Sequence, residues 1–355
     1  PACDYEDITE YIDPSGLANA RGQLAALMAK ATILDHERRR GDHFERVLKA
    51  IDEECGPEVD GPLGLPARPL LCKYRARNDG GRVYPTEMPM IDDPQKSKQR
   101  SVCIQGMPRE LRPFMCCRWG HDYDMKNAQP EMLRQMARQL SWPDGRDPPD
   151  LPELSRWCAD RNEYIEHVAD FHRLPTDEER QFEYRKDSIK TLMISLMFGG
   201  AYETWVNKLC REFKRDHLRE KRCERMVLLE EELRVLRGAV FASRRWLPFV
   251  DKDRARLVRE GKKETPEEID RSVFARIAQK TENDVLNVMR KFLHENGWTV
   301  LTLCFDGLIV KERPMRTLDL AAMNARITQV TKFELEIVEK PLFSSEFPVL
   351  SLSRT

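Results

Sequence analysis

An aspartate at a predicted hairpin is the first residue of this sequence that is suited to hold a metal ion. Two apolar, β-forming runs, 298–305 and 308–310, flank Asp306-Gly307, and this pattern predicts a β-hairpin. The runs lack strong alternation of polar and apolar residues, so we expect both strands to be buried on both faces. A carboxylate at such a turn lies at the edge of a core, where it can hold a cation. Asp-Gly is also the preferred dipeptide of tight turns, which is the alternative explanation.

A second pair of carboxylates precedes a predicted helix over 129–140. Asp122 and Asp124 are separated by one residue, so in a strand they point to the same face. A strand that ends in aspartate before a short turn and a helix suits a magnesium ion, because the neighbouring backbone carbonyl can serve as an extra oxygen ligand. Capping of the helix N-terminus is the alternative role for these residues.

The segment 185–200 combines basic side chains, an aromatic ring and a Gly-Gly stop. On a helix, Arg185 or Lys186 lies about one turn before Lys190, and Phe198 follows Lys190 by eight residues. Cations and an aromatic ring on one helix can bind a triphosphate and stack on a base. An amphipathic helix that ends at Gly199 is the alternative.

Helices and short strands must position these groups. Apolar residues at helical spacing predict helices over 16–55, 129–140, 153–172, 177–198, 206–237 and 267–295. The Pro- and Gly-rich segment 56–70 predicts a linker, residues 71–120 predict loops and short strands, and residues 331–338 predict a further strand.

Charge is balanced over the 355 residues, with 59 Lys and Arg against 60 Asp and Glu, a formal net charge of −1. This balance excludes a uniformly basic nucleic-acid-binding surface but allows a locally basic cleft. Residues 206–225 contain eight basic and four acidic side chains, a local excess of +4. That stretch predicts either a charge-paired helix face or a contact with a nucleic-acid backbone.

The sequence favours an intracellular protein in a reducing compartment, without distinguishing nucleus, organelle and cytoplasm. It has no apolar stretch of about 18 residues that predicts a membrane span. Its acidic first residues lack the apolar core of a secretion signal. The ten cysteines form no Cys-x-x-Cys pair, so we expect free thiols rather than a zinc ribbon.

The order of the three features resembles motifs A, B and C of polymerase palm and fingers domains, and family A DNA polymerases are the most similar. The spacing of Lys190, Phe198 and Gly199 matches the fingers helix of that family, and Asp306 stands where its His-Asp-Glu hairpin has the aspartate. The segment 124–130 is closer to motif A of family B, in which the metal-binding aspartate precedes a proline by six residues. Upstream, the segments 81–84, 104–108 and 111–112 follow in the order of the family A motifs.

The resemblance implies an α+β fold, a right-hand polymerase core with an antiparallel palm sheet, a helical fingers insertion and an N-terminal helical region. The implied divisions are a thumb-like region at 1–70, the first part of the palm at 71–175, fingers at 176–296 and the second part of the palm at 297–355. The chain is too short for an added exonuclease domain, and residues 1–70 show no carboxylate set for one.

The implied activity is that of a nucleotidyltransferase in DNA replication, which adds dNTPs to a primer 3′-OH on a DNA template. Asp124 and Asp306 would hold two Mg²⁺ ions (or Mn²⁺), with Asp122 as an auxiliary ligand. Lys190 would bind the triphosphate and protonate the leaving group. The remaining implied contacts are nucleotide binding by Arg185, Lys186, Phe198 and Gly199, and primer–template binding by Arg82, Arg109, Arg112 and Gln279.

Two other functions stay open at this point. A primase or a single-subunit RNA polymerase would use the same palm, and the sequence reveals no residue that selects the sugar. A helical nucleic-acid-binding adaptor without catalysis would use Asp124 as a helix cap and Asp306 as a turn residue. We expect no membrane partner, and the sequence identifies no helicase or clamp as a protein partner.

Overall fold

The protein is a mixture of helices and antiparallel sheets. A computed structural model describes residues 6–29, 35–76, 83–86, 88, 90–93, 98–108, 111–116, 120–140, 148–175, 184–214, 222–261, 265–304, 306–311, 313 and 315–340. The chain divides into two compact units, one formed by residues 1–126 and 282–355 and the other by residues 127–281. We refer to them as the sheet unit and the helical unit. The predicted divisions at residues 70, 175 and 296 stay predictions.

The described residues of the sheet unit form ten strands. They are β1 (Glu6–Ile12), β2 (Val59–Asp60), β3 (Pro66–Ala76), β4 (Val83–Thr86), β5 (Met90–Asp93), β6 (Lys98–Ser101), β7 (Gly120–Met125), β8 (Val300–Cys304), β9 (Gly307–Lys311) and β10 (Ile337–Lys340).

Twelve helices occupy the described part of the chain. They are α1 (Pro14–Met28), α2 (Asp35–Glu54), α3 (Arg112–Cys116), α4 (Ala128–Gln139), α5 (Pro152–Ala159), α6 (Arg161–Phe171), α7 (Tyr184–Met197), α8 (Tyr202–Phe213), α9 (Glu224–Ala242), α10 (Leu247–Glu260), α11 (Pro266–Glu295) and α12 (Leu320–Thr331). No helix in this part of the chain combines the length and the apolar character that crossing a membrane requires.

The central sheet has the strand order β10-β7-β9-β8, and every pairing in it is antiparallel. The predicted hairpin is confirmed as β8 and β9, which join across Asp306. Their middle residues are buried, as the lack of alternation predicted. Gly307 is required here because a Cβ atom would lie 2.5 Å from the carbonyl oxygen of Tyr123 on β7.

A second antiparallel sheet has the order β1-β3-β2, with β4 also paired to β3. Its strand β3 alternates between buried Leu70, Cys72 and Tyr74 and an exposed Leu71, which is the pattern of a sheet with one face on the core. Strand β1 was not predicted, because its acidic sequence hides the apolar positions Ile8 and Ile12.

A buried carboxylate connects the two sheets. Glu10 on β1 is inaccessible to solvent and accepts hydrogen bonds from the hydroxyls of Tyr74 on β3 and Thr302 on β8. It also accepts one from the backbone N–H of Ile104 at 2.7 Å. Burial raises the pKa of Glu10 above its ordinary value of 4.5, and the donated hydrogen bonds oppose that rise.

The helical unit is built from α4 to α10 and the first part of α11. Side chains that are almost fully buried come from several of these helices, such as Tyr164, Leu192, Met226 and Phe274. Glu232 on α9 accepts the backbone N–H groups of Glu153 at 2.9 Å and Leu154 at 3.0 Å, and thereby caps the N-terminus of α5.

Element boundaries differ from the predictions at several places. The predicted helix over 153–172 is two helices, α5 and α6, and the predicted linker 56–70 contains β2 and the start of β3. The predicted helix over 16–55 is two helices, α1 and α2, and the stretch 206–237 contains the end of α8 and most of α9. Lys214 has a left-handed conformation with φ of 53° and ends α8. Helix α12 occupies 320–331, and the strand predicted at 331–338 forms only over Ile337–Lys340.

Candidate active site

Strand pairing places Asp124 of β7 next to Asp306 of the β8–β9 hairpin. Asp122 and Asp124 lie on one face of β7, as predicted from their spacing. Asp124 is the cross-strand partner of Gly307 at the start of β9. The backbone N–H of Met125 donates to the carbonyl of Asp306 at 3.0 Å, so the hairpin turn lies at the end of β7. Residues far apart in the sequence therefore present carboxylates at one edge of the central sheet.

Asp124 is the most perturbed group of this site. It is buried, with 8% of its surface exposed. Burial raises the pKa of Asp124 above its ordinary value, and the Asp306 and Asp122 carboxylates raise it further by charge repulsion. A nearby lysine, Lys340, lowers the pKa of Asp124 and so opposes these effects.

The sequence analysis missed this lysine. Lys340 lies on β10 directly opposite Asp122, and its ammonium group forms an ion pair with the Asp124 carboxylate, one diagonal position away. The strand prediction ended two residues earlier, and no local pattern connects Lys340 with β7. Only the pairing of β10 with β7 brings this cation to the carboxylates.

The chemistry of the donor set fits a hard divalent cation. Carboxylate oxygens are the ligands that Mg²⁺ prefers, and a divalent ion would relieve the repulsion that raises the pKa of Asp124. The donor set consists of the Asp124 and Asp306 carboxylates, and the Asp122 carboxylate lies nearby. Within the described residues, no group of three or more His, Cys, Asp or Glu side chains is arranged as a metal site.

Three arginines near these aspartates were predicted to bind nucleic acid, and the structure describes one of them. Arg82 and Arg109 lie outside the described residues. Arg112 on α3 donates to the carbonyl of Gln105 at 2.8 Å and to that of Met107 at 3.3 Å. Gln105 in turn donates through Nε2 to the carbonyl of Leu303 on β8 at 2.8 Å. Arg112 therefore fixes a loop against the hairpin, and its contact with nucleic acid stays a prediction.

Helix α7 carries the predicted nucleotide-binding side chains of the helical unit. Lys186, Lys190 and Phe198 are half-buried. Arg185 is engaged elsewhere, because it forms ion pairs with Glu166 at 2.7 Å and Asp170 at 2.8 Å. It also donates to the carbonyls of residues 174 and 175. These contacts make Arg185 a clamp between α6 and α7.

The end of α7 lies beside two arginines that sequence reasoning did not find. Gly199 ends the helix with φ of 81°, the left-handed conformation that favours glycine. A Cβ atom at Gly199 would lie 2.0 Å from Nη1 of Arg237 and 2.8 Å from Cγ of Arg271. Burial lowers the pKa of Arg237, and the Arg271 guanidinium lowers it further. The Asp270 and Glu230 carboxylates raise it in turn, and the two guanidinium groups beside Gly199 are donors that suit an anion.

Gln279, the remaining predicted contact, is half-buried on α11 within the helical unit.

No local sequence motif identifies Arg237 and Arg271, because they come from two different helices, α9 and α11. They became neighbours of Gly199 only through helix packing.

Comparisons with known proteins give distant similarities. No protein-family model matches the chain. The chain is 22% identical over 277 residues to the Sputnik virophage protein named "Putative helicase V13", a match that covers 77% of this chain and 30% of that protein. The chain thus spans about a third of the length of that relative.

Similar solved structures include one that aligns with most of the chain. It is the POL domain of Pol1 from M. smegmatis in complex with DNA primer-template and dNTP, with a TM-score of 0.47 and 10% sequence identity. The alignment covers 93% of this chain and 66% of that one.

Proposed function

We propose that this chain is a template-directed DNA polymerase that adds dNTPs to a primer 3′-OH. The observation that carries the proposal is the pairing of β7 with β9, which brings Asp124 and Asp306 together at one sheet edge. In the sequence, the helix with Lys190, Phe198 and Gly199 stands between them, in the order of polymerase motifs A, B and C.

In the proposed reaction the primer 3′-oxygen attacks the α-phosphorus of a dNTP. A new P–O bond forms as the 3′-OH loses its proton to solvent, the bond between the α-phosphorus and the bridging oxygen of the β-phosphate breaks, and pyrophosphate leaves with that electron pair. Mg²⁺ ions bound at Asp124 and Asp306, with Asp122 nearby, would supply charge neutralisation and activation of the 3′-OH. The protein must otherwise position the reactants and exclude competing water.

The chain's own residues have distinct parts in this proposal. Asp124 is held at the end of β7 by its ion pair with Lys340, so its oxygens have a fixed direction before any ligand arrives. In the helical unit, Lys190 would bind the triphosphate and give a proton to the leaving pyrophosphate. The ion pairs of Arg185 with α6 favour Lys186 over Arg185 as the second phosphate contact.

We assign the palm to the sheet β10-β7-β9-β8 and the fingers to the helical unit. Support for the fingers comes from the cluster of Gly199, Arg237 and Arg271, where cations surround a helix end without a bulky side chain. A phosphate-rich template strand is an anion of the kind that this cluster would attract.

Primer extension in the presence of Mg²⁺ tests the proposal. We expect Asp124→Asn and Asp306→Asn each to abolish extension of a labelled primer, because an amide cannot supply the charge that a metal-bridging carboxylate supplies. Asp251→Asn, on the exposed surface of α10, is the matched control and should extend normally.

Parallel reactions separate the alternatives. Extension with ribonucleotides in place of dNTPs would indicate an RNA polymerase or primase. Primer–template binding without extension by any nucleotide would indicate the non-catalytic adaptor. Full activity in either aspartate variant would contradict the metal assignment of that residue.

A further inference from the structure

A cavity of about 550 Å³ lies in the sheet unit at a distance from the aspartate pair. Strand β1, the last turns of α11 and the start of β8 enclose it. Its volume falls within the range of roughly 300–1,000 Å³ that is typical of small-molecule sites. Val300 lines the cavity, and about 13 Å of strand separates that residue from Cys304, two residues before Asp306.

The cavity lining contains three basic residues. Arg290, Lys291 and His294 contribute side chains from α11, and none of the described residues that line the cavity is Asp or Glu. Arg290 is oriented by a hydrogen bond from its Nη1 to Oδ1 of Asn287 at 3.1 Å. Lys291 forms an ion pair with Glu295, with 3.8 Å between Nζ and Oε1, and both side chains are exposed. This pair therefore neutralises the cavity only weakly.

Cations near a helix C-terminus have an ordinary explanation, because they stabilise the helix dipole. That explanation does not account for two further arginines from the segment after β9. The guanidinium carbons of Arg313 and Arg316 each lie 5.6 Å from the ring centre of Trp298, a residue of the cavity wall. Arg313 also donates to the carbonyl of Gly297 at 2.6 Å. Two separate segments thus bring positive charge to one side of the sheet unit.

We propose that this cavity binds a nucleoside phosphate, either as a free nucleotide or as a nucleotide of a single strand. Arg290 and Lys291 of the cavity lining supply charged donors for phosphate oxygens. Tyr11, half-buried on β1, and the apolar wall next to it offer a surface for a base. The site lies at the opposite end of β8 from Asp306, so it does not depend on the proposed polymerase activity.

Fluorescence anisotropy with two probes tests this site. The probes are dye-labelled ATP and a dye-labelled tetranucleotide of dT, both in buffer with EDTA so that no divalent ion bridges nucleotide and Asp124. We expect Arg290→Gln combined with Lys291→Gln to weaken binding at least about tenfold, since each lost cation removes a charged contact. The matched control, Arg244→Gln with Arg259→Gln, removes two exposed charges elsewhere and should leave the affinity unchanged.

The outcomes are distinct. Binding of both probes supports a free nucleotide as ligand, and binding of the tetranucleotide alone supports a strand. Asp306→Asn should bind as the unmodified protein does, even if primer extension fails in every form of the protein. Lys291→Glu, on an exposed position, repeats the test if the double variant does not fold. No binding of either probe at about 1 mM, or equal binding by the double variant and its control, would overturn the proposal.

Discussion

Lys340 and Asp124 form an ion pair whose two members differ in exposure. Asp124 has 12% of its side chain exposed and Lys340 has 53%. The cost of burying the carboxylate is therefore large, and a half-exposed ammonium group compensates it only in part. A divalent cation at the same carboxylate would take over this compensation and release Lys340 for contact with a ligand.

Lys340→Gln tests whether the lysine and a metal ion share Asp124. In EDTA we expect this variant to lose about 1–2 kcal/mol of stability, between the values for exposed and buried pairs. Added Mg²⁺ should raise its Tm by more than it raises that of the unmodified protein, because binding to the folded state alone stabilises it. Thermal denaturation across a Mg²⁺ titration measures both effects.

Lys126→Gln is the matched control, since Lys126 pairs with Glu336 at 2.7 Å on the exposed surface of the same unit. It should change neither the Tm in EDTA nor the response to Mg²⁺. Identical Mg²⁺ responses in Lys340→Gln and the unmodified protein would show that Lys340 and the cation do not compete for Asp124.

Glu10 gives the sheet unit a predictable dependence on pH. Its pKa in the folded state is raised above the ordinary value of 4.5, so the folded protein holds a proton that the unfolded chain releases. The free energy of unfolding therefore falls as the pH rises upward from about 4.5. Glu10→Gln resembles the protonated form, and it should gain stability relative to the unmodified protein over the range in which the pH rises above about 4.5.

The measurement is the difference in Tm between Glu10→Gln and the unmodified protein at each pH, which cancels titration elsewhere. Glu336→Gln, at an exposed position of the same unit, is the control and should show a smaller change. A constant difference for Glu10→Gln across that range would mean that the carboxyl keeps one charge state throughout.

At the scale of elements, α7 carries two kinds of basic residue. One kind joins the helix to its neighbour, and the other is proposed to bind the nucleotide. Arg185 makes two ion pairs and two hydrogen bonds to backbone carbonyls, which join α6 to α7. We expect Arg185→Gln to lose about 1–3 kcal/mol of stability with little change in KM for the nucleotide. Lys190→Ala should keep its Tm and lose about 100-fold in kcat/KM for the nucleotide, as removal of a transition-state contact does.

The two variants control for each other in thermal denaturation and steady-state primer extension. A loss of nucleotide use in Arg185→Gln at unchanged Tm would move the phosphate contact to Arg185. A loss of primer–template affinity in Lys190→Ala, with normal kinetics at saturating DNA, would place Lys190 on the duplex.

The elements that sequence could predict are those defined by local patterns. The hairpin of β8 and β9 followed from two apolar runs around Asp306-Gly307, and the common face of Asp122 and Asp124 followed from their spacing. The pairing of β7 with β9 and the arrival of Lys340 depend on contacts between distant segments, which periodicity does not encode. Strand β1 was missed for a related reason, because its Glu10 is a buried carboxyl group in a position where an apolar residue is the usual choice.

At the scale of the whole molecule, the charge distribution matters more than the net charge of −1. Some of the basic residues after residue 205 are paired in the structure, as Arg222 is with Glu203 at 3.4 Å and Arg225 with Glu163 at 3.0 Å. Others, such as Lys208 and Arg211 on α8, are exposed. Exposed pairs are weak in water, so phosphate groups can compete for these cations.

We therefore expect primer–template binding to depend strongly on salt. If about five phosphates are neutralised, a plot of log K against log salt concentration should have a slope of roughly −4 to −5. Lys208→Gln combined with Arg211→Gln should reduce the magnitude of this slope by about 2, because each phosphate contact contributes about 1. Arg244→Gln with Arg259→Gln, at exposed positions outside α8, controls for the loss of two charges. Fluorescence anisotropy of a labelled primer–template at several salt concentrations provides the slopes. A slope near zero in the unmodified protein would mean that these charges pair only with one another, and the proposed polymerase would then lack the means to hold its substrate.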